Sequence, residues 1–221
     1  MTQQERSTAT ICGTNARRGQ RLCLLITIVT SLSTFVIDWP SAPVSHRFSD
    51  SRSAEEPNME IAIDAVVKRI IAVESDGDPN AKSKRSSATG LGQFLDETWL
   101  DMIRVHRPDL AKGRTQAEIL ELRRDPNIAR EITARFTQQN AGMLRKRGLP
   151  VTPGTLYLAH FAGGAGAVAI LSAAEDADAA LIMATADTSG RSRREKIVKA
   201  NPFLERFTVA DLRNWANRKM R

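Results

Sequence analysis

Glu74 is placed where a carboxylic acid can do chemistry. Ile63, Val66, Val67 and Ile70 fall at i, i+3, i+4 and i+7, one stripe of a helix, and Glu74 follows Ile70 by four residues on the same stripe. It therefore points where its apolar neighbours point. Apolar surroundings disfavour the charged form of a carboxyl, and a general acid working near neutral pH has to arrive with its proton. After Glu74 the chain turns polar through Ser75-Asp76-Gly77-Asp78-Pro79-Asn80 and returns by Gly90-Leu91-Gly92-Gln93-Phe94. Two glycines so close suit a turn that carries backbone near a substrate. They are not a dinucleotide fingerprint, because Leu95 stands where a third glycine would be needed and no strand precedes them. One partly desolvated acid beside a tight corner is an arrangement for protonating a glycosidic oxygen.

Most glycosidases pair two carboxylates, so the other acids nearby matter. Asp76 and Asp78 lie in a turn sequence, and turn chemistry accounts for both. Asp96 and Glu97 follow the glycine corner. They either cap the next helix, or one of them holds a water and makes the enzyme a hydrolase.

Taken in order, Glu74-Ser75, Asp78-Pro79-Asn80-Ala81-Lys82-Ser83, Gly90-Leu91-Gly92-Gln93-Phe94 and Thr98-Trp99 closely resemble the soluble lytic transglycosylase domain of the lysozyme-like superfamily. The resemblance runs from about Ile61 to Gly166. It departs in two places: the family's late Ala-Tyr-Asn-Ala-Gly motif reads Ala159-His160-Phe161-Ala162-Gly163, and the segment between Ser83 and Gly90 is one residue longer. The resemblance implies a lysozyme-like helical domain with a substrate groove, acting on peptidoglycan glycan strands. Glu74 would be the single acid and base that cleaves the β-1,4 bond between N-acetylmuramic acid and N-acetylglucosamine and leaves a 1,6-anhydro end. It implies no cofactor and no metal. Ser83 would touch Glu74 or the substrate acetamido group, Gln93 would line the groove, and Tyr157, His160 and Phe161 would sit on a helix facing Glu74, with His160 in the place of an orienting tyrosine. Phe94 reads as core or as a substrate platform. A muramidase using the same Glu74 is the first alternative. A non-catalytic wall-binding component of an envelope-spanning machine is the second, and a secretion or flagellar assembly is the partner that either role suggests.

The elements around these residues read as all-α. Aromatic residues make up 5% of the chain and no apolar–polar alternation marks a strand. Leu95, Trp99, Met102 and Ile103 predict a helix that ends at Arg107-Pro108. Thr115-Gln116-Ala117-Glu118 reads as a capping box. Asp125-Pro126 opens a long helix that Gly148 closes, and Thr152-Pro153 opens another over Leu156–Phe161. Gly163–Gly166 should break that helix, with a second one over Ala167–Ala174. Residues 187–199 read as a loop and solvated face, Asn201–Leu204 as an apolar plug, and Thr208 as the cap of a last helix carrying Leu212 and Trp215 inward.

Four regions follow: a basic polar N-terminus (1–21), an apolar run (22–37), a Ser/Pro-rich linker (38–57) and the catalytic domain (58–221). The run Leu22–Ile37 reads as a signal peptide or a membrane anchor, between the length of a signal core and the ~20 apolar residues of a spanning helix. Arginines precede it and Asp38 follows, which sends the rest of the chain outward to the periplasm, with the inner membrane touched only through 22–37. Both cysteines, Cys12 and Cys23, lie in this leader, so the catalytic part has neither a disulfide nor a thiolate zinc site. The net charge of +7 is modest and scattered, with no nucleic-acid recognition module. It suits long-range attraction to an anionic cell wall as well as a plain solvated surface.

Overall fold

Four of the predicted helix starts, at Thr115, Asp125, Thr152 and Thr208, are built from their own capping chemistry. The computed structural model describes residues 55–187, 190 and 193–221; the expectations for 1–21, 22–37 and the linker up to residue 54 lie outside them. Helix α1 runs Glu55–Ser75. It begins inside the expected linker, since Pro57 is tolerated in a first turn. Helix α2 (Asp96–His106) stops at Arg107, and Pro108 opens the short α3 (Pro108–Ala111). Thr115 and Glu118 close a reciprocal capping box on α4 (Gln116–Glu121), followed by a 3-10 turn at Leu122–Arg124. The Asp125 carboxylate accepts from Asn127 and Ile128 N–H and starts α5 (Pro126–Lys146). Further capping boxes start α6 (Pro153–Ser172) from Thr152 and α9 (Val209–Lys219) from Thr208.

Three features differ from the sequence reading. The break in α6 is confined to Gly163, at φ 74° and ψ 160°, and the helix resumes at Gly164. Gly163 adopts a left-handed φ without strain, so one residue kinks the helix and no loop is needed. Residues 179–185 form α7 (Ala179–Thr185), whose first turn is capped by Asp178. The expected solvated stretch folds in part as α8 (Arg194–Ala200). Arg194 holds it down, reaching Asp178 Oδ2 at 2.7 Å and the Glu205 carbonyl at 3.0 Å. Those partners are distant in sequence, which is why local pattern could not announce the helix.

The described residues hold helices and three isolated bridges, with no strand, so the chain is all-α over them. They pack about two apolar clusters. One joins α1, α5, α6 and α9 through Val67, Ile70, Leu144, Leu158, Ile170 and Leu212. The other gathers Phe94, Trp99, Met102, Ile103, Ile132 and Phe136. Helix α5 serves both, Ala141 and Leu144 in one and Ile132 and Phe136 in the other. Complete burial of each large aliphatic side chain contributes about 1.5–3 kcal/mol, so these clusters fix the end of α1 relative to α5 and α6. Among the described residues α6 is the one helix long and apolar enough to cross a membrane. Here it is a core helix, burying Leu156, Tyr157, Leu158, Ala159, Ala167 and Ile170.

Candidate active site

Glu74 occupies the last turn of α1, half-buried. The helix ends there because Asp76 (φ 52°) and Gly77 (φ 79°) are both left-handed, a conformation that Asp and Gly tolerate and most residues do not. Across from Glu74 stands Tyr157 of α6, 3% exposed, with its hydroxyl beside the Glu74 carboxylate. Ionisation of this phenol is pushed well up, first by burial and then by the Glu74 charge. It therefore stays a neutral donor, aimed at one side of the acid.

The corner Gly90–Gln93 is fastened beside Glu74 from several directions. From α1, Ser75 Oγ donates to the Leu91 carbonyl at 2.9 Å. From α6, His160 Nε2–H donates to the Gly92 carbonyl at 2.8 Å. Within the loop, Gly90 N–H donates to Ala81 O at 2.9 Å. Gln93 Nε2 donates to the carbonyls of Ala81 (3.1 Å) and Gly90 (2.9 Å). Both amide hydrogens of Gln93 are thereby used, leaving Oε1 as the atom through which it can address a ligand. Close approach dictates the two glycines. A Cβ on Gly90, at φ 80°, would collide with the Arg123 carbonyl, and one on Gly92 would lie 2.7 Å from Thr133 Oγ1.

Beneath the corner, buried Arg123 acts as a clamp. Its Nη1 donates to the carbonyls of Ser87 (3.0 Å) and Phe94 (3.1 Å) and to Asp96 Oδ1 (2.7 Å). Asp96 is thus committed to a buried guanidinium, and Leu95, not Asp96 or Glu97, is the cap residue of α2. Asp78 accepts from Asn80 N–H at 2.8 Å, the turn chemistry expected of it.

The residues singled out from sequence divide clearly. Glu74, Tyr157, Gln93 and His160 are joined about one corner. Phe161 lies four residues after Tyr157, half-buried, and its ring meets Trp215 at 4.9 Å. Phe94 takes the core alternative and cannot serve as a substrate platform. It is 4% exposed, edge-on to Trp99, Phe136 and His160. Ser83 Oγ accepts from the Arg85 and Ser86 N–H groups at 3.2 Å, contacts that stabilise its own loop. The contacts of His160 run to the corner and to two phenylalanines. Its ring packs edge-on against Phe94 and Phe136, its Nδ1 is buried without a partner, and Tyr157, one helical turn earlier, supplies the phenol.

Sequence reasoning gave no site role to Ser75, Arg123, Trp215 or Phe203. The first two bind backbone carbonyls, which leave no sequence signature. Trp215 meets Tyr157 at 5.3 Å and Phe203 at 5.1 Å, and the spacing of Tyr157 and Phe161 on one helical face was the available hint of an aromatic surface there. An apolar cavity of about 570 Å³ is lined by Ile63, Val66, Arg69, Val151, Leu156 and Met220 among others. It lies toward the other end of α1: Ile63 precedes Glu74 by eleven residues, roughly 16 Å along a helix. No group of three or more metal-binding side chains occurs among the described residues. No protein-family model matches the chain.

Proposed function

We propose that the chain is a peptidoglycan lytic transglycosylase of lysozyme-like fold, with Glu74 as its only acid and base. The observation that carries this is the pairing of half-buried Glu74 with the buried phenol of Tyr157, next to a glycine corner that is tied to α1 and α6 at the same level. The order of motifs from Glu74 through Gln93 supports the substrate class.

The chemistry follows from one carboxyl used twice. Glu74 donates its proton to the glycosidic oxygen between N-acetylmuramic acid and N-acetylglucosamine, and the bond from the anomeric carbon to that oxygen breaks. The electron deficiency at the anomeric carbon is met by the substrate's own N-acetyl oxygen, as in the substrate-assisted exceptions to two-carboxylate chemistry. Glu74, now a carboxylate, takes the proton from the muramic C6 hydroxyl. That oxygen closes on the anomeric carbon, giving a 1,6-anhydro end and restoring the acid. The neutral Tyr157 phenol beside the carboxyl would orient it toward the bond. The corner offers backbone and Gln93 Oε1 to the sugar.

A single-acid route is favoured over a paired one because two of the nearby acids are already engaged. Asp96 is held by Arg123, and Asp78 by its own turn. The apolar run Leu22–Ile37, preceded by arginines, supports export to the periplasm, where the substrate lies. The test is digestion of purified peptidoglycan by the full chain with the ends of the products read by mass spectrometry. Anhydro ends are expected. Reducing ends would mean a muramidase, and binding without release would mean a wall-binding module.

A further inference from the structure

Phe203 is the one exposed aromatic side chain among the described residues, at 38% exposure. It is not a stray surface ring. It lies nearly parallel to Trp215, with centroids 5.1 Å apart and planes 26° apart, and Phe161 and Phe207 brace it at 6.0 and 5.2 Å. Trp215 in turn meets Tyr157 at 5.3 Å. An unbroken series of rings thus leads from the phenol on Glu74 to an exposed ring face. Trp215 is half-buried, and its indole N–H takes no hydrogen-bond partner among the described residues. The Lys219 ammonium lies 5.8 Å from the centre of the same indole. Rings, an indole donor and a cation thus sit together about Trp215.

We propose that Phe203, backed by Trp215, is a saccharide-stacking subsite that holds a glycan residue next to the bond addressed by Glu74. This rests on the reading of Glu74 as a glycosidic acid. A pyranose presents an apolar C–H face and a polar rim. The exposed Phe203 ring meets the first, while the Trp215 N–H and Lys219 suit hydroxyl and carboxylate groups on the second. Pre-stacked rings lose little side-chain freedom when a ligand settles on them, so the subsite is built before substrate arrives. It gives a glycan chain a fixed position along the groove and does not enter the bond-breaking step.

The test uses the full chain carrying Glu74→Gln, so that the probe is not cleaved during the measurement, with chitopentaose as the probe and affinity read by calorimetry. Adding Phe203→Ala is expected to weaken binding about tenfold, the size of one aromatic contact, in a protein whose melt still shows one cooperative folded state. Phe203→Leu restores apolar volume but not a flat face, so it should bind as weakly as Phe203→Ala, whereas Phe203→Tyr should bind like the parent. Affinity that survives Phe203→Ala, or full recovery in Phe203→Leu, would overturn the subsite while leaving the role of Glu74 standing. Failure of the Glu74→Gln parent itself to bind chitopentaose would overturn both.

Discussion

Removing a single oxygen separates orientation of the acid from its presence. Tyr157→Phe deletes the hydroxyl beside Glu74 and keeps the ring, which remains packed against Trp215 at 5.3 Å. A hydrogen bond to a charged partner is worth about 1.5–3 kcal/mol. If that energy fixes the carboxyl in the line of attack, kcat falls by about 10- to 150-fold. The residue is 3% exposed and forms the wall behind the acid, so KM should stay close to wild type. The assay is the initial rate of soluble muropeptide release over a range of sacculus concentrations, with a thermal melt of each protein in parallel. A folded Tyr157→Phe variant whose kcat stays within about twofold of wild type would refute the orienting role, since an interaction of this size cannot vanish unnoticed.

The remaining predictions concern what holds the site. Gly90→Ala adds about 1–2 kcal/mol of left-handed backbone strain and a collision with the Arg123 carbonyl, whereas Gly148→Ala, also at positive φ, meets nothing within 4 Å. Chemical denaturation should therefore show Gly90→Ala as the more destabilised of the two, with lower activity as well. Arg123→Ala strips Asp96 and the Ser87 and Phe94 carbonyls of their donor, and is expected to cost about 3 kcal/mol, read as a fall in melting temperature. Tyr157 is the chain's single tyrosine, so phenolate absorbance reports it alone. In the unfolded chain it ionises near pH ~10. Its folded value is raised, so its stabilising contribution is complete below that pH and is lost as pH climbs further, through the folded value. Native protein above pH ~10 should lack the phenolate band that urea-unfolded protein shows.

Local chemistry made much of the fold readable in advance. Thr115, Asp125, Thr152 and Thr208 each announce a helix through a side chain that satisfies its own first turn, and each helix starts there. The stripe from Ile63 to Ile70 places Glu74 because a helix repeats its faces regardless of what lies beyond it. Helix α8 escaped notice because Arg194 stabilises it from Asp178 and Glu205, residues with no periodic relation to it. At the site, Gly90, Gly92 and Gln93 were recognisable from their types, since a corner this tight restricts which residues fit. Tyr157, His160 and Phe161 were all legible as residues of the helix facing Glu74, but not which of them meets the acid. His160 and Tyr157 are three residues apart on one helix, and only the packing of α6 on α1 and α5 decides which of them meets the acid. The ring series through Trp215 and Phe203 joins parts of the chain far apart in sequence, so no spacing could reveal it.

The central claim is that one side chain, Glu74, both gives and takes the proton. Its most direct test is mass spectrometry of the material released from purified peptidoglycan by the full chain and by its Glu74→Gln variant. The account predicts 1,6-anhydromuramic products from the wild type and none from a variant that still folds and still binds the glycan. Continued release by Glu74→Gln at a rate near wild type would contradict it.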